Sequence, residues 1–152
     1  MRAVIQRVRS AGVTFEHEDQ IIENKINKGF QVMLGITQND DEQDLKYIID
    51  KILGLRVFED ENEKMNLSIQ DVGGEILLIS QFTLYGDARK GKRPSFTEAA
   101  KPDHASPLYE KAIEMISRSG ITCRSGKFGA DMLVQITNDG PVTILLDSKK
   151  TF

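Results

Sequence analysis

Apolar residues follow two kinds of repeat along this chain. The opening stretches "RAVIQRV" and "IIENKINKGFQVMLGIT" carry β-branched residues in runs broken by "NKG", which predicts a β meander with a turn at that tripeptide. From Asp40 the period lengthens: Leu45, Ile48, Ile49, Ile52 and Leu53 recur at helical spacing, so one helix face collects them. Asp40 is the expected N-cap, Gln43 stands where a capping box places its acceptor, and Gly54 is a natural stop.

Beyond the helix, "LRVF" reads as a short strand and "EDENEKMNLSIQDVGG" as a long polar loop closed by a Gly-Gly turn. "EILLISQFTLY" is the strongest strand pattern in the chain. A second helix is expected from Ser106, with Pro107 at its first position, Tyr109, Ala112, Ile113 and Ile116 inward, and an end by Gly120. "MLVQITN" and "VTILLD" read as the last two strands, with "NDGPVT" as a turn between them, since Gly tolerates positive φ and Pro fixes φ while removing a donor.

The sum is a β-rich α+β fold with two helices, expected to form one domain over residues 1–152, with no repeat or linker to split it. Helices covering one face of a sheet leave the other in need of a partner, so a homodimer joined through the sheet is expected. At 152 residues roughly 68–70% of the unfolded surface can be buried on folding. With 39% hydrophobic and 28% charged residues, the composition is that of an ordinary globular protein. No apolar run approaches the roughly 20 residues of a membrane helix and the first residues lack a signal peptide's apolar block, so no membrane partner and a cytoplasmic location are expected.

The charge balance narrows the chemistry. Twenty Lys and Arg against 23 Asp and Glu leave a net charge of −3, so any nucleic-acid contact must be local. One place could supply it: Arg89, Lys90, Lys92 and Arg93 fall within "DARKGKRPSF", either a solvated loop or a phosphate-binding one. The single cysteine, Cys123, cannot form an internal disulfide. With only His17 and His104 beside it there is no zinc cluster, and Cys123 reads as a small core residue. No metal and no cofactor are expected. Neither histidine has a motif context, and no G-x-S-x-G elbow, P-loop or dinucleotide turn occurs; Gly126 and Gly129 in "SGKFGADM" match no phosphate-cradling spacing. What remains is Ser80, Gln81 and Thr83 at the end of the most apolar strand, either binding groups or residues that satisfy a sheet edge.

The words "SQFTLYGD", "GKRPSF", "FGADM" and "NDGPVT", in this order and spacing, resemble the D-aminoacyl-tRNA deacylase family. The likeness extends to "MRAVIQRV" and "FEDENEKMNLS", and only "SKKTF" falls outside it. It implies a hydrolase that cleaves the ester between a D-amino acid and the terminal adenosine of tRNA, a proofreading step, including glycine mischarged on alanine tRNA. It also implies a homodimer of barrel-like subunits with each active site at the interface, D-aminoacyl-tRNA as partner, and no DNA.

Residue by residue, the resemblance places Ser80, Gln81, Phe82 and Thr83 on the catalytic strand, with backbone N–H groups near Phe82 and Thr83 holding the oxyanion and the 2′-hydroxyl of the tRNA assisting water. Thr83 is the one side chain that could act as a nucleophile, and no base is visible to activate it. Gly140 and Pro141 match a cis Gly-Pro pair that reaches into the partner's site, where its two carbonyls receive the substrate ammonium and reject an L side chain by clash; Arg7 matches the residue that orients the pair. Phe128, Gly129, Ala130 and Met132 match the pocket for the terminal adenosine, although Phe128 also suits core packing. Following the catalytic strand, Arg89, Lys90, Lys92 and Arg93 are placed on tRNA phosphates.

Two alternatives stay open: a non-catalytic tRNA-binding or translation-associated module, and an esterase of small D-amino acid esters that would leave the basic cluster idle. Two local departures from the family pattern concern turns: Glu63 stands where Gly is expected before "KMN", and "FEHEDQ" lacks its usual Gly.

Overall fold

A computed structural model describes residues 1–152. Its organising element is one long strand, β1 (Arg2–His17), whose two edges are both used. On one edge its second half pairs antiparallel with β2 (Gln20–Ile26) and its first half with β3 (Gly29–Gly35). Ile26 lies opposite Ala11 and Gly29 opposite Val8, so the chain keeps its direction through "NKG". The expected turn is a kink in a nearly continuous run, because both halves stay on the same partner. On the other edge, β8 (Met132–Asp147) follows β1 from Phe15 to Arg2. The sheet continues from β3 to β6 (Glu75–Ser80) and β7 (Cys123–Ser125), both parallel pairings, and curls until Asn24 Nδ2 of β2 donates to Ser125 O at 2.7 Å. The result is a nearly closed, barrel-like sheet of mixed α+β class.

Helices α1 (Glu42–Gly54) and α2 (Pro102–Arg118) cover one face. Ile76 and Leu78 of β6 meet Ile48, Ile52, Ala112 and Ile116 in the larger core, while Leu77 and Ile79 point into a smaller core with Val8, Val13, Phe15 and Ile26 inside the curl. This strict alternation along one apolar strand is the period-two geometry of a strand buried on both sides. Cys123 packs against the larger core as expected, and burial pushes its thiol up to about 12, so it stays protonated.

Several element ends differ from the sequence expectation for identifiable reasons. Asp41, not Asp40, caps α1: its Oδ1 accepts from the N–H groups of Gln43 and Asp44 at 2.8 and 3.1 Å, and Asp44 Oδ2 completes the capping box by accepting from Asp41 N at 3.1 Å. Asp40 is committed elsewhere, receiving the Met1 amine at 2.6 Å and Thr37 N at 2.8 Å in a fully buried position. Helix α2 starts at Pro102, which takes the first-turn place expected of Pro107, and Pro107 lies inside the helix. The polar loop after the first helix contains a strand: β5 (Met65–Leu67) pairs with β4 (Phe58–Glu59) as a short ribbon. The run "EILLISQFTLY" leaves the sheet at Ser80, and Phe82–Tyr85 wind into a 3₁₀ turn.

"NDGPVT" is no hairpin turn. Thr143 pairs with Gln6 and Asn138 with Val8, so Asp139–Val142 stand opposite Arg7 alone and form an outward bulge within one strand. The Asn138 side chain closes its base, accepting from Val142 N at 3.1 Å and donating to Val142 O at 3.3 Å.

The two glycine-lacking turns carry a measurable strain. Glu63 has φ 59°, and Glu18 and Asp19 have φ 50° and 59°, all in the left-handed region that favours glycine. Replacing Glu63 by Gly, at a position where the Glu side chain makes no hydrogen bond, is expected to stabilise the protein by about 0.5–1 kcal/mol and raise Tm by about 1–4 °C. A thermal melt of Glu63→Gly beside wild type checks this, and an unchanged or lower Tm would show the strain to be relieved elsewhere.

Candidate active site

The last ladder bond of β6 is Gln81 N to Leu34 O, at 2.8 Å. Past it the chain turns inward on itself through Leu84 N to Gln81 O and Gly86 N to Thr83 O, at 3.3 and 2.9 Å. A helical turn leaves its first N–H groups without internal acceptors. Here no side chain caps the turn, and the N–H groups of Phe82 and Thr83 donate to nothing in the chain. Unpaired backbone donors at such a position can hold a developing oxyanion.

Two clefts flank this point. One, of about 370 Å³, lies between the Ser80–Phe82 segment, the Ala99–Pro102 segment and Phe128. The other, of about 300 Å³, runs from Ser80–Phe82 to Ala130 and Met132. Gly129, between Phe128 and Ala130, lines both. The residues assigned to one adenosine pocket are thus divided between two adjoining clefts: Phe128 in the first, Ala130 and Met132 in the second. Phe128 also packs on the core, its ring 5.9 Å from that of Tyr109. Tyr109 donates its buried hydroxyl to Leu78 O at 2.8 Å, which pins β6 two residues before Ser80.

Thr83 is exposed, and the one side chain bonded to its hydroxyl is the amide of Gln81, which donates to it and cannot take its proton. The histidines are elsewhere: His104 Nε2 lies 2.8 Å from Asp40 O, and His17 sits beside Glu18 at the tip of the β1–β2 hairpin. The geometry offers oxyanion donors and no activated nucleophile.

Arg7 stands apart, at the β8 bulge. Its guanidinium is buried, and it donates to Val57 O at 2.6 Å and Asp139 O at 3.2 Å, with Glu59 and Asp139 carboxylates at 3.8 and 3.6 Å. Gly140 and Pro141, joined by a cis peptide bond, are exposed beside it and line neither cleft. Counted along the sheet, Gly140 and Ser80 are separated by three strand spacings and four residue steps, about 14 Å and about 13 Å. One chain does not bring these two parts together.

The basic residues lie on an exposed loop between the two sides of an isolated bridge, Asp87 with Ser95. Arg89 is held by Asp87 at 2.7 Å, which keeps the Asp87 carboxyl well below the usual carboxylate range. Lys90, Lys92 and Arg93 have no ion-pair partner. The sequence reading missed Phe96 and the Ala99–Pro102 wall of the first cleft. These arrive through pairing with the loop after β3, a Thr37–Ala99 bridge and Ala100 N to Ile36 O at 2.9 Å. The small residues "EAAKP" just before the Pro-started helix were the available signal.

Comparison with known proteins gives a consistent result. The family model described as D-Tyr-tRNA(Tyr) deacylase matches residues 4–147. The D-aminoacyl-tRNA deacylases of Clostridioides difficile (strain 630) and Koribacter versatilis (strain Ellin345) are each 57% identical over 152 residues, covering 100% of this chain and of theirs. Among solved structures, one described as c-Myc DNA Unwinding Element Binding Protein superposes with TM-score 0.87 at 42% identity, covering 97% of this chain and 98% of that one. Another, described as a probable eukaryotic D-amino acid tRNA deacylase, superposes with TM-score 0.79 at 16% identity over 95% and 97% of the chains, a likeness of fold.

The bulge depends on Arg7 and Gly140. Lysine cannot fork to both carbonyls, so Arg7→Lys leaves one buried acceptor unpaired and is expected to cost about 1–3 kcal/mol. Gly140 has φ 120°, and an added Cβ would lie 2.9 Å from Val142 Cγ2 and 3.1 Å from Arg7 Nη2; Gly140→Ala is expected to cost about 2 kcal/mol. Urea unfolding of the two variants measures both, and midpoints equal to wild type would remove the proposed dependence.

Proposed function

The chain belongs to the D-aminoacyl-tRNA deacylase family, and we propose that its chemistry takes place at the start of the 3₁₀ turn, where Phe82 lines both clefts and the N–H groups of Phe82 and Thr83 are free. The enzyme is a hydrolase that cleaves the ester joining a D-amino acid to tRNA. In the proposed step, water attacks the ester carbon and the carbonyl oxygen, as it gains charge, is held by those two donors. The carbon–oxygen bond to the ribose then breaks and the ribose oxygen takes the proton. The neighbouring 2′-hydroxyl of the terminal adenosine assists the water, since the amide on Thr83 supplies no base. Ser80 and Gln81 place the turn. Phe128 offers a ring face to the adenine, while Gly129, Ala130 and Met132 shape the space beside it.

Chirality is read by a second copy of the chain. Gly140 and Pro141 are exposed on a bulge braced by Arg7, and in a homodimer they enter the partner's cleft, where their carbonyls accept the substrate ammonium. The helix-free sheet face supplies an apolar contact through Leu145, 55% exposed, together with Val4 and Met33 of the same row. An L side chain is then driven into the carbonyls, a D side chain points away, and glycine passes. Arg89, Lys90, Lys92 and Arg93 meet tRNA phosphates, which fits a loop with three unpaired cations in a protein of net charge −3. The observation that carries this reading is the uncapped start of the 3₁₀ turn, where Phe82 lines both clefts and Thr83 follows it.

Purified protein incubated with matched D-tyrosyl-tRNA and L-tyrosyl-tRNA is expected to deacylate the D form alone. Cleavage of both would leave an ester hydrolase without the chirality filter, and cleavage of neither would remove the reading. Thr83→Ala is expected to keep most of the single-turnover rate, because the backbone donor survives the change. A loss of a thousandfold would instead make the hydroxyl the nucleophile.

A further inference from the structure

Phe82 contributes its backbone to the site, but its side chain points away from the core and is 57% exposed. Its ring meets Phe96, 38% exposed, edge to face with centroids 5.2 Å apart and planes at 74°. Leaving a large aromatic side chain in water forgoes roughly 1.5–3 kcal/mol of burial, so two such rings together at a cleft mouth mark a surface meant to be covered. The pair is rigidly mounted. Gly86 lies directly under Phe96, where an added Cβ would stand 3.0 Å from the ring, and the Asp87–Ser95 bridge, with N–H···O distances of 2.8 and 2.9 Å, closes the loop just before Phe96.

That same loop carries Lys90, Lys92 and Arg93, none of them ion-paired. Aromatic faces beside unpaired cations are how single-stranded nucleic acid is held: bases stack on the rings while the cations follow the backbone. Both rings also line the first cleft, the one that Phe128 shares. Resting on the reading that this cleft takes the terminal adenosine, we propose that the Phe82–Phe96 pair is a stacking platform for the nucleobase immediately before that adenosine. The Lys90–Arg93 loop then receives the phosphates that lead to it. The platform supplies a sequence-tolerant grip on the unpaired tRNA end, since every base has a π face.

The test uses uncharged tRNA and the same tRNA with the penultimate base removed to leave an abasic sugar. Their affinities are measured by fluorescence anisotropy with wild type, Phe82→Leu and Phe82→Tyr. Loss of the base is expected to weaken wild type and the tyrosine variant by about tenfold, and the leucine variant by no more than about twofold. An equal penalty in wild type and Phe82→Leu, or no penalty in wild type, overturns the platform and returns the rings to packing against another protein surface. Because the readout is binding, it separates from the catalytic reading: an enzyme that cleaves D-tyrosyl-tRNA yet shows equal penalties loses only the platform. Failure of wild type to bind either RNA also removes the platform, while the deacylation assay alone decides the catalytic reading.

Discussion

A guanidinium buried on the central strand of a sheet brings five donors with it, and the groups around it must supply oxygen. Arg7 is in that position, and the acceptors it draws in are backbone carbonyls from two separate places: Val57, at the entry to the β4–β5 ribbon, and Asp139, at the start of the β8 bulge. Removing one partner of such a group is far more costly than the net value of the contact, because the remaining polar atoms stay buried. The constraint therefore fixes the ribbon against the sheet. It also holds the bulge open where an uninterrupted strand would otherwise run along β1. Arg9 adds a second cation on the Asp139 carboxylate at 3.3 Å, from the exposed side.

The end of β6, where the candidate site lies, is built by a different constraint, exhaustion of a ladder. β6 has a partner for every residue through Ser80, and β3 ends at Gly35, so there is no further strand for Phe82 to join. A 3₁₀ turn is what the chain can form with its own carbonyls, and the two N–H groups at its start have nowhere to donate. Burial of Leu77 to Ile79 on both sides and the Tyr109 bond to Leu78 keep that start in place. The free donors are thus a product of the fold. No special residue is needed to create them.

The sequence disclosed what depends on local period and little of what depends on distant partners. The apolar spacing of α1 and the buried run of β6 are readable because each residue's own neighbours set them. Asp40 and Asp41 are equal as caps in the local pattern; the choice between them is made by the Met1 amine, 39 positions away. "NDGPVT" signals a break in the chain, yet whether the break reverses direction or bulges out is decided by the pairing of β1 with both flanks. Ser80, Gln81 and Thr83 stand out in the sequence as polar residues ending the most apolar strand, and the family resemblance adds Phe82 and a role for each, whereas Phe96 and Ala99–Pro102 reach the cleft only through pairing with Thr37 and Ile36.

A site made of peptide groups answers to geometry before it answers to side-chain identity. Replacing an exposed hydroxyl such as that of Thr83 leaves the N–H where it was, while a change at a residue that touches no substrate can move it. Arg7 and Tyr109 are of that second kind: each holds a stretch of backbone in place through a hydrogen bond to a carbonyl. Because N–H donors do not titrate, the donors of such a site keep their form as pH falls through the carboxylate range or rises through the histidine range. Its sensitivity lies in the stability of the framework, and selection on the activity then becomes selection on buried acceptors, close approaches and strand register.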